Sequence, residues 1–229
     1  METLQVRWEA DEAACWAHRR VHVYRLLSAG FGPPTPTSFL RHLVTTGEFL
    51  GYLRQALAVA PTFDKPLAEF SRCFQDRDMV REVEAEHCRL FPRLVSPRGS
   101  DHGGPSPRKV RAFYRNADLA LVASPLPADH IAVETAFAAA LTEREMWLRR
   151  RGCLEEAEEA SEHARKFLAG YLAPWAPRFA LRVEAESASP FYGALARVLA
   201  EWVVLEAEMD FTGLQSPGAR SGTSVTPAP

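Results

Sequence analysis

Apolar residues recur at three- and four-residue steps along most of the chain, and no stretch alternates as a strand does. The pattern predicts a succession of amphipathic helices. The first spans about residues 9–29, with Trp16, Val23 and Leu27 on its apolar stripe, Ala13 and Tyr24 beside it, and Gly30-Phe31-Gly32-Pro33-Pro34 ending it. Thr37 or Ser38 caps a second, carrying Phe39, Leu43, Leu50, Leu53 and Leu57, which Gly47 divides at ~1 kcal/mol if it stays helical. Asp64-Lys65-Pro66 opens a short helix with Leu67, Phe70 and Phe74, since proline suits a first turn. Asp78 caps another, with Val80, Val83, His87, Leu90, Phe91 and Leu94. Residues 110–121 turn Val110, Phe113, Tyr114, Ala117 and Leu121 inward.

Residues 154–173 begin with acids and end with bases, as the helix dipole favours, and bury Ala157, Ala160, Ala164, Phe167, Leu168, Tyr171 and Leu172. Pro174 and Pro177 bracket Trp175 and force a turn before a short helix with Phe179 and Val183. Pro190 starts the last helix, which carries Phe191, Tyr192, Leu195, Val198, Leu199, Trp202 and Leu205. The expected fold is all-α, a single globular bundle of about nine to eleven helices. Residues 96–108 are the clearest break, too rich in Gly, Pro and Ser for helix or strand. They divide a domain of residues 1–211 into halves 1–95 and 109–211, and such a hinge permits a monomer or a domain-swapped dimer. Residues 212–229 lack apolar periodicity and are expected to be disordered.

One stretch carries more than packing. Leu126-Pro127-Ala128-Asp129-His130 reads as a loop ending in a helix that runs to about Arg151 and stops at Gly152. Pro127 stiffens the approach, and Asp129 suits the N-cap. His130, Phe137, Leu141 and Leu148 fall on one inward stripe, with Glu134 at its edge. Polar residues there are either satisfied by each other or by nearby backbone, or they line a groove that receives a ligand.

Charge and composition exclude several classes. A net charge of −2 over 229 residues is not a nucleic-acid-binding balance. No run of 18 apolar residues spans a membrane, and the N-terminus does not read as a signal peptide; Arg19-Arg20 is followed by His22 and Arg25, not by an apolar run. The expected compartment is the cytoplasm. Cys15, Cys73, Cys88 and Cys153 are scattered and read as reduced thiols. On the polar face of the first helix, Asp11, Cys15, His18 and His22 line up as metal-ligand types, which supports an alternative reading as a metal-binding helical enzyme or sensor; the competing account is a solvated face. Phosphate-loop, dinucleotide, zinc-protease and serine-hydrolase motifs are absent.

Four segments in order resemble the TorD/DmsD/NarJ family of dedicated molybdoenzyme chaperones: Tyr24-Arg25-Leu26-Leu27 with Phe31 and Pro33-Pro34; Glu86-His87-Cys88-Arg89-Leu90-Phe91; Pro127-Ala128-Asp129-His130 with Glu134 and Phe137, matching the family's P-x-D-H…E…F; and Phe167-Leu168 through Trp175, Pro177 and Phe179, followed by Phe191-Tyr192. The chain has Tyr171 where the family has His, His87 where it has an aromatic, and a different loop after Phe91. The resemblance implies an all-helical protein without catalysis or cofactor. It implies binding of the N-terminal, often twin-arginine, segment of a molybdopterin-dependent catalytic subunit, which delays export and keeps the apoenzyme open for cofactor insertion. By motif, Pro127, Asp129 and His130 belong to the peptide site, with Glu134 and Tyr24 as weaker carry-overs. A receptor for such a segment needs acids to pair with arginine, which Asp129 and Glu134 offer, and an apolar wall, which Phe91, Tyr114 and Phe137 offer.

Overall fold

A computed structural model describes residues 12–35, 51, 54, 57–58, 61–73, 78–117, 119 and 124–208. Eight α-helices lie among them: α1 (Glu12–Phe31), α2 (Asp64–Cys73), α3 (Met79–Leu90), α4 (Pro107–Asn116), α5 (Ile131–Arg150), α6 (Leu154–Phe167), α7 (Ala176–Glu186) and α8 (Pro190–Glu208). No strand occurs among the described residues, so the fold is all-α as the periodicity predicts. The expected helix from Thr37 or Ser38 and the tail 212–229 lie largely or wholly outside the described residues.

Helix α5 is central. It packs along α1 on one side and α6 on the other, while α8 packs on α7 and α2. One core joins them, with Tyr24, Phe31, Phe70, Phe137, Phe167, Trp175, Phe179, Tyr192 and Trp202 all essentially buried. Each large apolar side chain so removed from water contributes roughly 1.5–3 kcal/mol.

Sequence and structure differ at several element ends. The first helix continues through Gly30 to Phe31, which is fully buried. The helix expected over 110–121 starts earlier, with Pro107 in its first turn, and has its C-cap at Ala117. The helix expected over 154–173 is α-helical to Phe167 and then widens into a π-helical turn, Leu168–Leu172, which delivers Trp175 to the core. Leu94 lies beyond the end of α3 and is exposed, so it is not on the buried stripe.

Two polar clusters lock helices together. Arg20, 2% exposed, reaches Glu206 at 2.5 Å and Glu145 at 2.8 Å, while Tyr24 donates its hydroxyl to Glu206. This joins α1, α5 and α8 around a fully paired guanidinium. Glu86 on α3 accepts from Arg89 at 2.6 and 2.7 Å, from Ala188 N at 2.7 Å and from the Ser187 hydroxyl at 3.2 Å. That carboxylate ties α3 to the α7–α8 turn, and the Arg89 guanidinium holds it below the usual carboxylate range.

Candidate functional site

The segment before α5 is not free. Gly99 N donates to Asp129 O at 2.7 Å and Ile131 N donates to Pro97 O at 2.8 Å, an antiparallel bridge with Arg98 opposite His130. That pairing holds His130 extended (φ −78°, ψ 136°), so the helix begins only at Ile131. His130 is therefore the N-cap: its Nδ1 accepts from Ala132 N at 3.1 Å. The expectation that Asp129 caps the helix is corrected. The Asp129 carboxylate, 0% exposed, turns to the neighbouring loop instead, where it accepts from the Ser100 hydroxyl at 2.6 Å, Ser100 N at 3.4 Å and Arg98 Nε at 3.4 Å.

Residues 96–104 wrap Trp175. A Cβ on Gly99 would stand 2.7 Å from the indole and one on Gly104 2.6 Å, so only glycine lets the backbone come this close. Gly104 N closes the turn on Gly99 O at 2.8 Å, and Gly103 takes φ +81°, a left-handed conformation suited to glycine. His102 stacks on Trp175 and donates its Nε2–H to Ser96 O at 2.7 Å. The stretch expected to hold neither helix nor strand thus contains a short 3₁₀ turn, Gly99–His102, seated on α7.

Trp175 is also the partner of Glu134. Its Nε1 donates to Glu134 Oε2 at 3.2 Å, while Glu134 Oε1 is buried without a partner among the described residues. Glu134 is 0% exposed, and burial pushes its carboxyl up to about 9, against a weaker opposing effect of the Trp175 hydrogen bond. His130 moves the other way. Burial, with His87 nearby, lowers it to about 4, which Asp129 only partly offsets. At neutral pH, Glu134 carries its proton and His130 is neutral, with its proton on Nε2 because Nδ1 accepts. Beside them the Asp129 carboxylate pairs with the Arg98 guanidinium.

The structure gathers Asp129, His130 and Glu134 at the start of α5, with Pro127 exposed just before them. His130 is hydrogen-bonded to backbone and Glu134, through Oε2 alone, to Trp175, not to each other. Tyr114 lies behind this site, donating to Ala128 O at 2.9 Å and packing on Phe137 at 4.2 Å between ring centroids. Phe137 is fully buried, and Phe91 packs on Phe31, Phe179 and Tyr192 with 6% exposure. Tyr24 belongs to the Arg20–Glu206 cluster instead.

Sequence reasoning missed Arg98, Ser100, Gly99, Gly104 and the tie between Trp175 and Glu134. The proline-bracketed tryptophan and the doubled glycine spacing were the available signals.

The alternative metal face is placed elsewhere. His18 and His22 approach through their Nε2 atoms at 3.1 Å and border a cavity of about 600 Å³ with Arg25, Arg144 and Trp147. Asp11 lies outside the described residues. Among the described residues, no group of three or more His, Cys, Asp or Glu side chains is placed to hold a metal ion.

Residues 57–181 match the family model described as nitrate reductase delta subunit. Chaperone protein TorD of Shewanella loihica is 27% identical over 212 residues, covering 82% of this chain and 92% of its own. Chaperone protein TorD of Shewanella pealeana is 26% identical over 210 residues, covering 82% and 88%. No solved structure matches the chain. No described helix is long and apolar enough to cross a membrane. The chain belongs to the TorD/DmsD/NarJ family of molybdoenzyme chaperones and is not an enzyme.

Proposed function

We propose that this chain acts in the cytoplasm as a dedicated chaperone for the catalytic subunit of a molybdopterin-dependent oxidoreductase. It holds the N-terminal segment, commonly a twin-arginine signal, while the apoenzyme awaits its cofactor and before export. The site is the ledge where residues 97–99 meet 129–131, with Pro127 at its edge. Asp129 pairs with an arginine of the client, and the His130 Nε2–H offers a neutral donor beside it. Glu134, protonated and tied to Trp175, positions the ledge without contributing charge.

The observation that supports this reading most is the division of labour between neighbours. His130 caps the helix, so Asp129 is not needed for that purpose. Its buried negative charge is instead met by a half-exposed arginine, an arrangement suited to exchange of guanidinium partners.

The test is a pull-down of the tagged protein from its native cytoplasm, wild type beside Asp129→Asn and His130→Asn, with thermal unfolding of each. Asparagine can keep the Ser100 hydrogen bonds at 129 and the capping acceptor at 130. Wild type should retain one molybdoenzyme catalytic subunit, and the folded Asp129→Asn variant should lose it. Full retention by both folded variants would move the binding surface away from this ledge.

A further inference from the structure

The guanidiniums that meet the other buried carboxylates of the described core do so closely. Arg20 lies 2.5 and 2.8 Å from Glu206 and Glu145, Arg89 lies 2.6 Å from Glu86, and Arg149 lies 3.0 Å from Glu145. Arg98 is the loose case. It meets Asp129 through Nε at 3.4 Å, well beyond the roughly 2.7–2.9 Å of a strong charge-assisted bond. Its side chain is 42% exposed while Asp129 is 0% exposed. The two carboxylate oxygens are also unequal. Oδ2 is taken by the Ser100 hydroxyl at 2.6 Å and Ser100 N at 3.4 Å, whereas Oδ1 has only the long Arg98 contact.

A fully buried carboxylate cannot be left without a countercharge at modest cost. Arg98 supplies that countercharge in the free protein, from the solvent side, on a backbone fixed by the bridge to residues 129–131. We infer that Arg98 is the chain's own occupant of the Asp129 subsite, and that an arginine guanidinium of the client segment displaces it. This rests on the peptide-binding reading given above and adds a regulation of that same site. The internal arginine keeps the subsite closed to weak cations and sets a threshold that an incoming guanidinium must exceed. A lysine ammonium is more strongly hydrated and lacks the planar fork, so it exchanges less well.

The test uses the full chain and two labelled synthetic peptides, each with an apolar Leu/Ala stretch, one preceded by two adjacent arginines and the other by two lysines. Fluorescence anisotropy is measured for wild type, Arg98→Ala, Arg98→Gln, Asp129→Asn and the variant that combines Arg98→Gln with Asp129→Asn. Loss of a half-exposed competitor should tighten the arginine peptide about two- to fivefold in both Arg98 variants. The lysine peptide should gain less, and the gain should vanish when Asp129→Asn is combined with Arg98→Gln. Arg98→Gln keeps most of the side-chain stem, so a fold defect in Arg98→Ala alone would not decide the matter. Binding of the arginine peptide by wild type with equal or weaker binding by folded Arg98→Gln overturns the displacement and leaves the peptide-binding reading standing. Absence of binding to wild type and every Arg98 variant overturns both.

Discussion

Glu134→Gln should stabilise this protein at neutral pH, and by an amount that depends on pH in a defined direction. The carboxyl is fully buried, receives one hydrogen bond from Trp175 at 3.2 Å and has no cation beside it among the described residues. In the unfolded chain it ionises near its ordinary 4.5, while in the fold it keeps its proton up to about 9. Between those values the unfolded state binds fewer protons than the folded state, so stability falls as pH rises. Glu134's favourable contribution is full below about pH 4.5 and is lost towards pH 9. At 1.36 kcal/mol per unit, the loss by pH 7 is about 3 kcal/mol. Glutamine has no proton to release, and its carbonyl can accept from Trp175. Its amide nitrogen, where Oε1 now lies unpartnered, costs ~1 kcal/mol. The net gain at pH 7 is about 2 kcal/mol, or roughly 4–8 °C in Tm for a chain of this size. Urea unfolding of both proteins at intervals from about pH 5 to pH 8 measures the difference, which should grow by roughly 1.4 kcal/mol per unit. A pH-independent difference would refute the buried, protonated state. The same variant should bind client as wild type does, because the side chain it replaces carries no charge at pH 7.

His130 has the opposite dependence. Its proton affinity is lowered to about 4 in the fold against 6.5 when unfolded, so stability is lost as pH falls between those values, about 2 kcal/mol by pH 5. His130→Asn retains a capping acceptor and should recover that amount relative to wild type at pH 5 but not at pH 7, as read from urea midpoints. Gly104→Ala places a Cβ 2.6 Å from the Trp175 ring and 2.9 Å from Gly99 O; it should cost about 1–3 kcal/mol in thermal unfolding and weaken client capture. Gly170→Ala, where a Cβ meets nothing within 4 Å, is the matched control and should change stability by no more than about 0.5 kcal/mol.

The all-α fold and most helix positions were legible because each helix carries a contiguous apolar stripe, and Pro66, Pro177 and Pro190 mark helix starts well. The site was legible only as a list of residues. Asp129 looked like the cap because aspartate is a strong capping residue one position before an apolar run. A long-range bridge to Pro97 and Gly99 overrode that preference and moved the cap to His130. No periodicity argument reaches across 31 residues from Asp129 to Arg98, nor across 41 from Glu134 to Trp175. The π-helical turn before Trp175 was equally hidden, since Leu168, Tyr171 and Leu172 continue the apolar stripe of α6 and Gly170 alone does not mark a change of helix type.

Glu134 and Trp175 explain each other better than either explains itself. Leucine at 134 would avoid the cost of a buried carboxyl, but it would strand the indole N–H in a dry interior. A residue without a donor at 175 would leave Glu134 Oε2 unpaired as well as Oε1. The indole in turn sets how closely Gly99 and Gly104 can approach, and those glycines fix the loop that carries Arg98 and Ser100. A buried acid on α5 therefore determines, through one ring and one loop, the position of the two groups that hold Asp129. The carboxyl that resembles a ligand-pairing acid by motif acts two steps away from the charge it controls, and this is why its neutral amide should serve as well.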